Sequence, residues 1–449
     1  MADRYWVLGT GTWDSTSTTN WSTSSGGAGG ASVPTAADNV FFDANSNVLA
    51  TAFTVTMANT PRVCNDFTAS GLDGTMTLAG TSIGLTVSGS LTFQATNFTR
   101  SYTGTTTFNA TTTGKTITTN GVAFGAAITF NGVGGAWQLQ DALTVPTGNT
   151  TTLTNGTLDL KSYTLSTGLF NSNVVGVRAI AFGTGQISCT GTGIVYNNNS
   201  PTDFSTSGTQ VINITSTGST AITVNTGAYS EANSISFNFT GGTYALTFLQ
   251  STGQVARNVD FTGFAGTLGA TSTVILYGNL KLSTGMTLTA SGSTFSFRGT
   301  SGTQQITTNT KILDFPITFN GVGGTFQLQD ALTAGTARGI NLTNGTLDLF
   351  GQTFTIGGAN TNDRFTINAG TKNITFNGGT LVIATSSTIA FNNAAPTGFT
   401  TTAGTGTGTI SMTSASAKSF IGAGSTFNCT LNQGGAGALT ITGSNTFSN

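Results

Sequence analysis

From about residue 51 onward, apolar and polar residues alternate over short stretches, and Asn-Gly or Gly-Gly pairs punctuate the stretches. Period-two alternation broken by turn residues predicts short β-strands with one face buried. Leu153-Thr-Asn-Gly-Thr-Leu-Asp-Leu160 is representative. Leu153, Leu158 and Leu160 are expected to point inward, and Thr154, Thr157 and Asp159 outward.

The pattern repeats. Ile128 to Thr144 and Ile317 to Thr333 agree at 15 of 17 positions, at an offset of 189 residues. Leu153 to Leu160 recurs unchanged as Leu342 to Leu349 at the same offset, as do the shorter matches Ile117 to Asn120 with Ile306 to Asn309. The duplicated block covers about residues 87–160 and 276–349. A shorter phrase, Phe-Asn-x-x-Gly-Gly, begins at Phe130, Phe237 and Phe319, with a degenerate form at Leu431.

Short strands, glycine bends and a long repeat without helical crossovers predict a coil in which each turn stacks on the last. The expected fold is all-β: a right-handed parallel β-helix, or β-solenoid, over 51–449, preceded by a small Trp-rich cap or attachment unit over 1–50. Turns of about 20 to 25 residues give roughly 16 to 20 turns and a length of order 80 to 95 Å. The competing architecture is a string of β-sandwich domains, which lacks stacked bends of this kind.

Composition sharpens the picture. About one residue in five is Thr, Gly numbers 62, and the only Glu is Glu231, so helix formers are scarce and β-branched residues abundant. Stacked coils place Thr over Thr and Asn over Asn, where side-chain ladders hydrogen-bond without charge. Lys and Arg number 14 against 15 acidic residues, spread singly, which excludes a phosphate-binding patch and argues against nucleic-acid partners. No apolar run is long enough for a transmembrane helix, so membrane insertion is not expected. Cys64, Cys189 and Cys429 are distant and odd in number, as expected of buried small hydrophobes.

With no His, a Ser-His-Asp or Cys-His arrangement is excluded, as is any His-bearing metal site. The carboxylates Asp141 and Asp159, repeated as Asp330 and Asp348, have the spacing of neighbouring turns, the arrangement a glycosidase would use. Their recurrence within the repeat instead assigns them to turns or ladders, and no catalytic residue is expected. Asp38 and Asp43 are read as turn residues rather than cation ligands. Neither a metal nor a cofactor is expected.

The first block holds Trp6, Trp13 and Trp21, with Tyr5, Phe41 and Phe42 beside them in sequence. These six are the candidate cap and attachment residues, and the three Trp are also a candidate carbohydrate platform. A small hydrophobic centre is the commoner use of such residues. Trp137 aligns with Phe326, which marks a core position of the repeat.

The phrases Arg4-Tyr-Trp-Val-Leu-Gly-Thr-Gly-Thr-Trp-Asp-Ser15, Asn20-Trp-Ser22 and Val33-Pro-Thr-Ala-Ala-Asp-Asn-Val-Phe-Phe-Asp43 resemble the opening of β-repeat proteins of tailed bacteriophages. They are similar also to β-helical autotransporter and adhesin repeats of bacteria. The resemblance is close over about 45 residues and loose beyond. It implies a virion protein of tail-fibre, spike or capsid-decorating type, assembled in the host cytoplasm and displayed on the virion surface. It further implies contact with other virion proteins through the N-terminal unit, a homo-oligomer (a trimer by analogy) and attachment to host-surface glycan. A bacterial surface adhesin, and a polysaccharide depolymerase, are the alternatives. The C-terminal stretch reads as the start of another repeat, for which either a covering partner or a longer native chain is expected.

Overall fold

The computed structural model describes residues 1–248, 253–358 and 363–448. Its regular structure is β-strand, interrupted by two single 3-10 turns, Ala44–Ser46 and Glu231–Asn233. The chain is a parallel β-solenoid, formed as two compact units, Met1–Ile214 and Thr215–Asn449.

In the first unit, Leu85, Thr106, Ile128 and Thr151 succeed one another in register, so these coils take 21, 22 and 23 residues. One position along, Thr86, Thr107, Thr129 and Thr152 form a half-exposed column. The next position gives Cys64, Val87, Phe108, Phe130 and Leu153, all fully buried. The period-two alternation of the sequence is therefore stacked, coil upon coil, into an apolar column beside a hydroxyl column.

The second unit repeats the arrangement. Ile317, Ile340, Phe365, Phe391 and Phe420 form an inward column, with the Phe391 and Phe420 rings stacked at 4.4 Å. Thr318, Asn341, Thr366 and Asn392 stand beside them, half-exposed. On another sheet Thr353, Thr380, Thr409 and Thr430 are stacked.

The duplicated segments form identical bulged strands, Ile128–Leu139 and Ile317–Leu328. Each loses register at its Asn-Gly-Val-Gly-Gly stretch, leaving Val133 and Val322 exposed. The bulge crosses a neighbouring coil so closely that a Cβ on Gly132 would lie 1.7 Å from the Ala110 carbonyl oxygen, and one on Gly321 would lie 1.9 Å from that of Gly299. Asn155 Nδ2 donates to Asn131 Oδ1 at 2.8 Å, and Asn344 Nδ2 to Asn320 Oδ1 at 2.8 Å, which fixes each bulge to the next coil.

The correspondence continues past residue 160, where the constant offset ends. Gly156 is followed in register by Arg178 and Phe204, and Gly345 by Lys372 and Phe399. Both cations are fully buried and donate to backbone carbonyls of adjacent loops. Arg178 reaches Gly176 O at 2.8 Å and Thr202 O at 3.0 Å; Lys372 Nζ reaches Gly370 O, Ala395 O and Thr397 O at 2.9, 2.8 and 2.9 Å. Lys418 does the same, reaching Ser414 O at 2.7 Å and Gly437 O at 3.0 Å. Burial pushes the Lys372 and Lys418 amines below the usual lysine range.

The N-terminal block stacks on the first coils of the first unit. Strand Asn39–Phe42 pairs with Phe67–Ala69, and Gly11–Trp13 with Phe53–Met57, both parallel. An antiparallel pair sets Trp6 opposite Trp21 and folds the block back over the first coils.

Candidate functional site

Trp6, Trp13 and Trp21 are each 0% exposed. Trp21 packs edge-on against Trp6 at 5.1 Å and Trp13 at 5.3 Å, and all three surround Phe42. Their faces meet protein, so they are the hydrophobic centre of the block and not a sugar platform; the carbohydrate expectation for these three residues is corrected by their burial. Tyr5 and Phe41 lie outside that centre, half-exposed and stacked at 4.7 Å. Partial burial, then the nearby Asp3 and Asp43, raises the Tyr5 hydroxyl above its ordinary value.

Asp38 accepts hydrogen bonds from Thr35 Oγ1 at 2.7 Å, Thr35 N at 3.0 Å and Ala2 N at 3.2 Å. Burial opposes its ionisation, but those donors outweigh it and leave its carboxyl below the usual range. Asp43 accepts from Asn45 N at 2.9 Å while its own N–H donates to Ser46 Oγ, a capping box on the 3-10 turn. Both are turn residues. Among the described residues no three Cys, Asp or Glu side chains come together as a metal site would require.

The duplicated carboxylates have matching structural roles. Asp141 accepts from Thr119 N at 3.0 Å, Thr119 Oγ1 at 3.1 Å and Asn120 N; Asp330 accepts from Thr308 N at 2.8 Å, Thr308 Oγ1 at 3.2 Å and Asn309 N at 2.5 Å. Each clamps a turn of the preceding coil in which Asn120 or Asn309 has φ of 48°. Asp159 accepts from Lys161 N and pairs with its amine at 3.2 Å, whereas Asp348 accepts from Phe350 N, Gln327 Nε2 and Asn377 Nδ2. Turn-clamping accounts for all four.

A groove of about 550 Å³ lies in the second unit, lined by Glu231, Arg257, Asn258, Tyr277, Asn279 and Gln304 among others. Successive coils supply its walls. The lone Glu231 opens a 3-10 turn, and its carboxylate reaches along the coils to accept from Thr300 Oγ1 at 2.6 Å and Thr300 N at 3.2 Å. Arg257 Nη2 donates to Glu231 O at 2.7 Å and its Nε to Ser234 Oγ at 3.4 Å, which fixes the guanidinium plane. Arg257 takes part in none of the three ion pairs among the described residues.

An amide column runs beside it. Asn279 N donates to Asn258 Oδ1 at 2.8 Å, and Gln305 N to Asn279 Oδ1 at 2.8 Å. Gln304 is 3% exposed; its Nε2 donates to Ser301 O at 2.8 Å, while its Oε1 has no hydrogen-bond partner. A Cβ on Gly278 would lie 2.2 Å from Asn258 Oδ1, so glycine at that position is what lets the column close up. The groove combines a cation, a half-exposed tyrosine ring and amides, which can hold a polar ligand with one flat face.

Sequence reasoning did not find this groove. Its residues fall outside the first-copy motifs and come from coils some twenty residues apart, and the one signal available was that the single Glu of the chain sits at its edge. Compared with protein-family models, curated proteins and solved structures, the chain matches none.

Proposed function

We propose that the protein is a non-enzymatic structural and adhesive component of a bacteriophage virion, a fibre, spike or capsid decoration that presents a solenoid surface for attachment to host or environmental glycans. The observation that carries this reading is the set of outward columns of hydroxyl and amide side chains, such as Thr86, Thr107, Thr129 and Thr152 or Thr318, Asn341, Thr366 and Asn392. Regularly spaced neutral donors and acceptors match the hydroxyls of a polysaccharide and bind it without a catalytic centre. The turn-clamping roles of Asp141 and Asp330 favour attachment over cleavage.

Placement on a virion rests on the resemblance of the N-terminal block to phage β-repeat proteins. That block also bears exposed Leu8, Val48 and Leu49. Apolar side chains so exposed suit contact with another virion protein. Immunogold labelling of native source material tests the placement. Gold on capsids or tails is the expected result; gold confined to cell envelopes overturns it in favour of a bacterial surface adhesin.

A further inference from the structure

The groove of the second unit presents polar groups that the protein leaves partly unengaged. The Arg257 guanidinium is held in place by Glu231 O, Ala232 O and Ser234 Oγ, while among the described residues its Nη1 donates to no protein acceptor and no carboxylate lies within ion-pair distance. Asn279 is exposed, and among the described residues its Nδ2 has no acceptor, its Oδ1 being engaged by Gln305 N. Gln304 Oε1 is buried without a donor. The half-exposed guanidinium thus keeps a donor free for an anion, and the exposed Asn279 amide keeps one for a hydroxyl. The half-exposed Tyr277 also lines the groove and adds an aromatic ring to it.

We infer that this groove binds a saccharide carrying a carboxylate, a uronic-acid type of residue. The carboxylate pairs with Arg257, a ring hydroxyl bonds to Asn279 Nδ2, and a sugar face lies on Tyr277. A single cation matches a single carboxylate. A phosphate dianion or a polyanion fits worse, because the Glu231 carboxylate remains in the same wall, held by Thr300. The volume of about 550 Å³ is that of a small-ligand site. The inference deepens the glycan-attachment reading and rests on it.

Isothermal titration of the full chain with galacturonate oligosaccharides, and with the same oligosaccharides methyl-esterified, tests it. The acid form is expected to bind at least about tenfold more tightly than the ester, because a charge-assisted bond is lost on esterification. Arg257→Gln and Tyr277→Ala are each expected to lower affinity for the acid about tenfold. Tyr277→Ala alters only a half-exposed ring, so it keeps the test valid if Arg257→Gln fails to fold, and melting curves identify that failure. Equal binding of acid and ester, or unchanged affinity in the folded variants, overturns the inference. Binding of neutral glycans without the acid overturns this site and leaves glycan attachment standing; binding of neither overturns both.

Discussion

Trp137 and Phe326 occupy the same position of the duplicated repeat, both fully buried, and the Trp137 indole N–H has no acceptor. The aligned phenylalanine shows that the site accepts a ring without that N–H. Trp137→Phe is therefore expected to stay within about 1 kcal/mol of the wild type, the lost contacts offset by removal of an unpaired buried donor, whereas Trp137→Ala costs about 3 to 5 kcal/mol. Denaturant midpoints of the two variants check this. The cysteines are equally legible at this scale: all three are buried and free, and burial pushes the thiols of Cys189 and Cys429 up to about 12 and that of Cys64 higher still. A thiol reagent at pH 8 is expected to leave the native protein unmodified and to react with it only after unfolding. Asp14 shows the opposite shift. Hydrogen bonds from the backbone of Ser17 and Thr16 hold its carboxyl down to about 2, below the unfolded value of about 3.9. Its contribution is thus present above pH 4 and lost as pH falls through about 2. With Asp38 shifted the same way, acidification is expected to loosen the N-terminal block, read as a change in tryptophan emission that Asp14→Asn diminishes.

Elements were legible where the repeat kept a constant offset. The strand, bend and strand of 153–160 were read from alternation alone, and its inward leucines and outward threonines are where the pattern puts them. The bulge at 131–136 was not readable as such, because only the register against Thr151 to Asp159 reveals it. Past residue 160 loop lengths differ between copies, so Arg178 and Lys372 fall out of the sequence alignment although they hold equivalent places in register. Two substitutions test these elements. Gly132→Ala forces a Cβ onto the Ala110 carbonyl and is expected to cost about 2 kcal/mol or more, while Gly148→Ala, with nothing near its Cβ, changes stability by less than about 0.5 kcal/mol. Lys372→Met leaves three loop carbonyls without their donor and is expected to cost about 3 kcal/mol. Thermal or denaturant unfolding reads both.

At the scale of the molecule, the all-β solenoid follows from alternation, duplication and the scarcity of helix formers. The tryptophans of the N-terminal block form its hydrophobic centre, and the pairing of Asn39–Phe42 with Phe67–Ala69, which joins the block to the first coils, was not legible in the sequence. The groove was not legible, because Glu231, Arg257, Tyr277 and Gln304 become neighbours only when their coils stack. The central claim is attachment to glycan without cleavage. It is tested most directly by passing purified bacterial envelope polysaccharides over the immobilised full chain and measuring both retention and new reducing ends. The account predicts that at least one polysaccharide is retained and elutes with its size and reducing-end content unchanged. Retention of none, or release of shortened chains with new reducing ends, would contradict it.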